Sequence, residues 1–95
     1  MGQQLSDKEK EMLTGLLKEA GDLVAGERNE SYGHPKDNHQ VTAELWTTWL
    51  GLRVTPRDVC IMMILLKISR EHHTAKRDNL VDLIGYTLNA AICGE

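Results

Sequence analysis

Eight consecutive residues, Val59-Cys60-Ile61-Met62-Met63-Ile64-Leu65-Leu66, carry no charge, and they follow Thr55-Pro56-Arg57-Asp58. That prefix is a helix start: threonine caps, proline has its φ preset for the first helical position, and an acid in the first turn faces the helix's positive end. The run is therefore a helix that is apolar on every side until its character changes at Lys67, Arg70 and Glu71. Such a helix must be enclosed all round. In a chain of 95 residues, three neighbouring helices can scarcely enclose it. The pattern predicts a homo-oligomer, a dimer or larger, with this helix at its centre. Size argues the same way, because a domain this short hides only about 60% of the surface of its unfolded chain.

The remaining elements read as helices too. Ser6-Asp7-Lys8-Glu9 has the form of a capping box, and Leu13, Leu16, Leu17, Ala20, Leu23 and Val24 then fall on one helical stripe. This first helix is predicted to run to about Asn29, with a possible break near Gly26. Tyr32-Gly33-His34-Pro35 is a turn, since glycine admits positive φ and the residue before proline is pushed out of the α region. Asp37 with Gln40 repeats the capping logic and opens a second helix bearing Val41, Leu45, Trp46, Trp49 and Leu50 before Gly51. His72 to Arg77 reads as a polar loop, with His72 and His73 solvated because adjacent histidines lack the spacing of a helical metal pair. A fourth helix opens at Asp78 and turns Leu80, Val81, Leu83, Ile84, Leu88 and Ala91 inward up to Cys93-Gly94. No repeat, linker or low-complexity stretch divides the chain, so residues 1–95 form one all-α, four-helix domain.

Charge and composition remove several function classes. A formal net charge of −3 gives no broad attraction to nucleic acid or to an anionic membrane. Cys60 and Cys93 lie far apart in sequence in apolar surroundings and read as reduced, packed thiols. The polar start Met1 to Ser6 has no apolar leader segment, and no apolar stretch is long enough to span a bilayer. The expectation is a cytoplasmic protein without membrane or nucleic-acid partners.

Three polar groups sit where packing alone would not ask for them. One runs from Glu27 to Asn38 and includes Arg28, Tyr32, Gly33, His34 and Asn38. Another is Lys67 with Arg70, about one turn apart on the most apolar helix. The last is Asp78 with Asp82, whose i, i+4 spacing puts both carboxylates on one helix face. Enclosed cations need either those carboxylates or a phosphate as counter-charge. One reading is an internal ion-pair network with no ligand. The other is a phosphate site, with Tyr32 or His34 stacking on a base. Tyr86 reads as a core ring with its hydroxyl at the rim, and Trp46 and Trp49 as core or subunit interface.

The run Glu27-Arg28, Tyr32-Gly33-His34-Pro35, Asn38, Leu45-Trp46, Thr55-Pro56, Asp58-Val59, Lys67, Arg70, Asp78-Asn79-Leu80-Val81-Asp82 and Gly85-Tyr86 resembles a family of small proteins encoded by phages and prophages, over about residues 27 to 91. More distantly it is similar to the MazG-like all-α nucleotide pyrophosphohydrolases. That similarity implies an oligomeric helical bundle holding Mg2+ and nucleotide between helices. Those enzymes carry E-x-x-E and E-x-x-D motifs, whereas the second helix here has Glu44 with Thr47 three residues on, and the fourth has its acids four apart.

Two functions follow as expectations. The first is a phage-type protein that binds a nucleotide or a nucleotide-derived phosphorylated signal through Arg28, Tyr32, Gly33, His34, Asn38, Lys67 and Arg70, sequestering a host defence messenger. The second is a Mg2+-dependent pyrophosphohydrolase with Asp78, Asp82, Asp58 and Glu44 as metal ligands. A structural or host-protein-binding oligomer without a ligand is the third reading.

Overall fold

The computed structural model describes residues 2–27 and 33–94, and within them every regular element is helical. Helix α1 spans Asp7–Asp22 and is followed directly by a π-helical stretch, Leu23–Glu27. Helix α2 spans Pro35–Leu50, α3 Pro56–His73 and α4 Arg77–Cys93.

The caps explain where these helices begin. Ser6 Oγ accepts from the Glu9 amide at 3.1 Å while Glu9 accepts from the Ser6 amide at 2.8 Å, the reciprocal box expected from the sequence. Thr55 and Asp58 form the same box at 3.1 and 2.9 Å, with Pro56 as the first helical residue. The start of α2 differs from expectation. Pro35 takes the first helical position and His34 is the cap, its Nδ1 accepting from the Lys36 amide at 3.1 Å, so Asp37 lies inside the first turn. Proline's preset φ selects the boundary over the acid further on. Gly51, at φ 71°, ends α2 in the left-handed conformation that glycine adopts without steric cost. Thr47 then holds the returning chain, its hydroxyl accepting from the Val54 amide at 2.8 Å.

At the far end α3 continues to His73, so the stretch read as a loop begins two residues later than expected. Both histidines lie in the last turn, where a positive charge faces the helix's negative end. Helix α4 begins at Arg77 rather than Asp78, after a link of only three residues, 74–76. Regular α geometry in α1 gives way at Leu23, slightly before the anticipated weak point at Gly26. Its predicted end at Asn29 lies outside the described residues.

Helix α4 is the hub: it packs against α1, α2 and α3, whereas α1 reaches neither α2 nor α3. Within one protomer the central helix is thus α4, not the apolar α3. The core is made of small side chains, with Ala20, Val24, Ala43, Val59, Cys60, Val81, Ala90 and Cys93 buried. Cys60, Ala90 and Cys93 form one cluster, so the two cysteines that are distant in sequence meet across α3 and α4. Burial, then the Cys93 thiol beside it, pushes the Cys60 thiol up to about 12. Only the last part of the α1 stripe is covered: Ala20 and Val24 are buried while Leu13 and Leu17 are exposed. Leu80 and Ala91 are also exposed, contrary to their inward assignment on α4.

Candidate functional site

The antiparallel α3–α4 hairpin builds the site at its closed end. Glu71, in the last turn of α3, accepts from the Lys76 amide at 2.8 Å and from Asn79 Nδ2 at 3.3 Å. Asn79 also donates to the Thr74 carbonyl at 3.2 Å and is itself buried. These bonds fix the three-residue link, and with it the relative position of the side chains on either helix.

On that frame Lys67 of α3 meets Asp82 of α4, Nζ to Oδ2 at 2.8 Å, with only 13% and 19% of the two side chains exposed. The pair forms one wall of a recess of about 630 Å³ that is also lined by Arg70, His73, Lys76 and Asp78. Four of the residues expected to act together, Lys67, Arg70, Asp78 and Asp82, are therefore gathered in one place. The internal-pairing reading holds for Lys67. It does not extend to Arg70 or Lys76, which no ion pair engages among the described residues. The recess also borders the start of α4, whose cap residue, Lys76, makes no side-chain capping bond. Amides at an uncapped helix start, with the positive end of the helix behind them, favour an anion.

His73 and Lys76 were missed by the sequence reading. The signal for His73 was its spacing, three residues beyond Arg70 and so on the same helix face, which becomes visible once α3 is carried through to its true end. Nothing in the sequence marks Lys76, because its place depends on the Glu71 bond.

The other expected residues lie elsewhere. Gly33, at φ 80°, and His34 stand at the start of α2. His34 lines a separate recess of about 480 Å³ with Val24, Ala25, Leu88 and Ile92. Leu88 and Ile92 are about 9 and 15 Å further along α4 than Asp82 at helical rise, so His34 does not share the Lys67 recess. Asn38 is exposed on α2. Arg28 and Tyr32 lie outside the described residues. Tyr86 is half-buried against His39, ring centroids 6.3 Å apart, and burial holds the His39 imidazole below its ordinary value.

The donor set for a metal does not assemble among the described residues, where no three His, Cys, Asp or Glu side chains come together. Asp58 is engaged in the α3 cap, about 18 Å along the helix from Arg70 at helical rise. The amide of Thr55 holds its carboxyl below the usual carboxylate range, with the Thr55 hydroxyl adding to the effect. Glu44 accepts from Gln40 at 3.2 Å on α2. Asp78 and Asp82 alone line the recess, and Asp82 is already paired with Lys67. No hydrolytic step is derived through Mg2+.

The chain belongs to the family described as "Domain of unknown function (DUF6378)", whose pattern it matches over residues 15–95. It is 41% identical over 76 residues to the "Gene 55 protein" of Mycobacterium phage D29, covering 79% of this chain and 50% of the relative. It is 41% identical over 73 residues to the "Gene 55 protein" of Mycobacterium phage L5, covering 75% of this chain and 47% of that protein. The chain spans about half the length of the curated relatives it matches. No solved structure matches it. The expected kinship with small phage proteins is thereby shown. No described helix is long and apolar enough to cross a membrane.

Proposed function

We propose that this member of the DUF6378 family binds a phosphorylated small molecule, a nucleotide or nucleotide-derived signal, in the recess at the closed end of the α3–α4 hairpin. The observation that carries the reading is the convergence of Arg70 and Lys76, both outside any described ion pair, on an uncapped helix start. Arg70 offers a planar fork that matches two phosphate oxygens, Lys76 a compact charge, and the Arg77 and Asp78 amides at the start of α4 direct donors, the Asn79 amide being bonded to the Lys76 carbonyl. The Lys67–Asp82 pair acts as a fixed wall: its charges already balance, so it shapes the recess without competing for the anion. Three cations, Lys67, Arg70 and Lys76, line the recess beside Asp78 and Asp82, and the Glu71 carboxylate at its edge is engaged by the Lys76 amide and Asn79. Sequestration of a messenger is the use we propose for such a site.

Titration calorimetry against nucleoside mono-, di- and triphosphates, cyclic nucleotides and ADP-ribose-type compounds, each with and without Mg2+, tests this. The expected result is saturable binding of at least one compound, weakened about tenfold or more by Arg70→Ala, in keeping with the loss of one charge-assisted contact. No binding by any of them at high protein concentration would overturn the reading. Binding untouched by Arg70→Ala and Lys76→Ala would move the site elsewhere.

A further inference from the structure

The protomer exposes far more surface than its mass warrants. Its accessible area is 7136 Å², whereas a compact monomer of 10.7 kDa exposes about 5,500 Å². Its radius of gyration is 15.5 Å against about 12.4 Å for a compact chain of this length. The shape is correspondingly long, 49 × 28 × 25 Å. The surplus of about 1,600 Å² per chain is what an obligate dimer interface removes, since such interfaces bury about 2,000 to 5,000 Å² over both partners.

Large exposed apolar side chains are gathered mainly on two helices that pack together, α2 and α3. Along α2, Val41, Leu45 and Trp49 recur every four residues and are 60%, 65% and 88% exposed. On the helical wheel they lie opposite buried His39 and Ala43, so they face away from the protomer's own core. Along α3, Ile61, Leu65 and Ile68 repeat at i, i+4 and i+7 and are 38%, 60% and 50% exposed. No charged residue interrupts α3 between Asp58 and Lys67, so covering this stretch desolvates no ion. The exposed part of α1 is different: Met12, Leu13 and Leu17 stand among Lys8, Lys10, Glu11 and Lys18, as on an ordinary amphipathic helix.

We propose that a second copy of this chain docks two-fold symmetrically across the outward faces of α2 and α3, burying Leu45, Trp49 and Leu65. The occupant follows from the core. The largest fully buried side chains of the lone protomer are Val59 and Cys60, too little apolar volume to hold four helices by itself. The cover must therefore be present whenever the chain is, and another copy is the partner that always is. A self-complementary face used by both copies closes into a dimer instead of continuing as a filament.

Light scattering and sedimentation of the full chain test this over micromolar to near-millimolar concentration. The expected mass is twice the 10.7 kDa of the chain. Trp49→Glu with Leu65→Glu moves the mass to that of one chain, weakening association at least about 100-fold because two central apolar anchors are lost on each side. Leu17→Glu on α1 leaves the dimer intact. Circular dichroism separates dissociation from unfolding. Where the double variant also loses its helical signal, Trp49→Gln decides: association weakened about tenfold with ellipticity retained supports the proposal, and unchanged mass overturns it. A folded single-chain mass at every concentration overturns it as well, and points to a foreign partner for this face. An assembly that survives the double variant but is broken by Leu17→Glu overturns it in favour of α1.

Discussion

Two lysine–aspartate pairs in this molecule have almost the same length and opposite surroundings. Lys18 and Asp22, at i and i+4 on α1, meet at 2.7 Å with 76% and 67% of their side chains in solvent. Lys67 and Asp82 meet at 2.8 Å across α3 and α4 with 13% and 19% exposed. Distance says they are equivalent; burial says they are not. In open water the attraction is screened and offset by side-chain entropy. Between helices, each ion has given up most of its hydration and needs its partner. The exposed pair decorates one helix, whereas the enclosed pair joins two and forms a wall of the candidate site.

The largest effect that sharpens this contrast is expected from Lys67→Ala. It leaves the largely enclosed Asp82 carboxylate without its lysine, and unfolding by urea should show a loss of roughly 3 kcal/mol. A double-mutant cycle through Asp82→Asn should return a coupling of about 2 kcal/mol, because the neutral amide no longer needs the cation. A coupling near zero would break the comparison. Next comes buried His39, whose imidazole is held below its ordinary value of 6.5 by desolvation. The folded protein resists the proton that the unfolded chain takes up. Stability contributed by neutral His39 is therefore complete above pH 6.5 and declines as pH falls from there through the lowered folded value. The slope is at most about 1.4 kcal/mol per pH unit. His39→Gln should flatten that limb between pH 6.5 and 5 in a series of urea titrations. Smallest is Lys18→Ala, for which the same titrations should register no measurable change. A clear loss there would mean that exposed pairs matter in this fold after all.

Much of this fold was legible in the chain because helix starts are local. Ser6 with Glu9 and Thr55 with Pro56 carry their geometry in four residues, and both boundaries came out as read. The start of α2 was misplaced because two local signals competed and proline's fixed φ won over Asp37. The end of α3 was misplaced because two histidines look like a loop, yet their ring nitrogens suit the negative end of a helix. The site was half legible. The spacing of Lys67 with Arg70 and of Asp78 with Asp82 told which faces they occupy, and the hairpin brought those faces together. What no spacing reveals is contact between distant segments. The fastening of Lys76 by Glu71, the meeting of Cys60 with Cys93 and the separation of His34 from Lys67 all depend on how helices cross. The same limit applies to α3, the most apolar helix, which was expected at the centre of an oligomer and whose place within one protomer its composition does not give. Composition shows that a helix needs cover, and packing decides that α4 is the helix the others share.

The closed end of the α3–α4 hairpin is where a phosphate is expected to bind. The most direct test is an amide NMR titration of the 15N-labelled protein with pyrophosphate and then with ATP. The expected result is saturable shifts confined to Arg70, His73 and the Lys76–Asn79 turn, with the midpoint moved about tenfold or more to higher ligand concentration in Arg70→Ala. Shifts that never saturate, or that centre on residues away from this hairpin end, would contradict it.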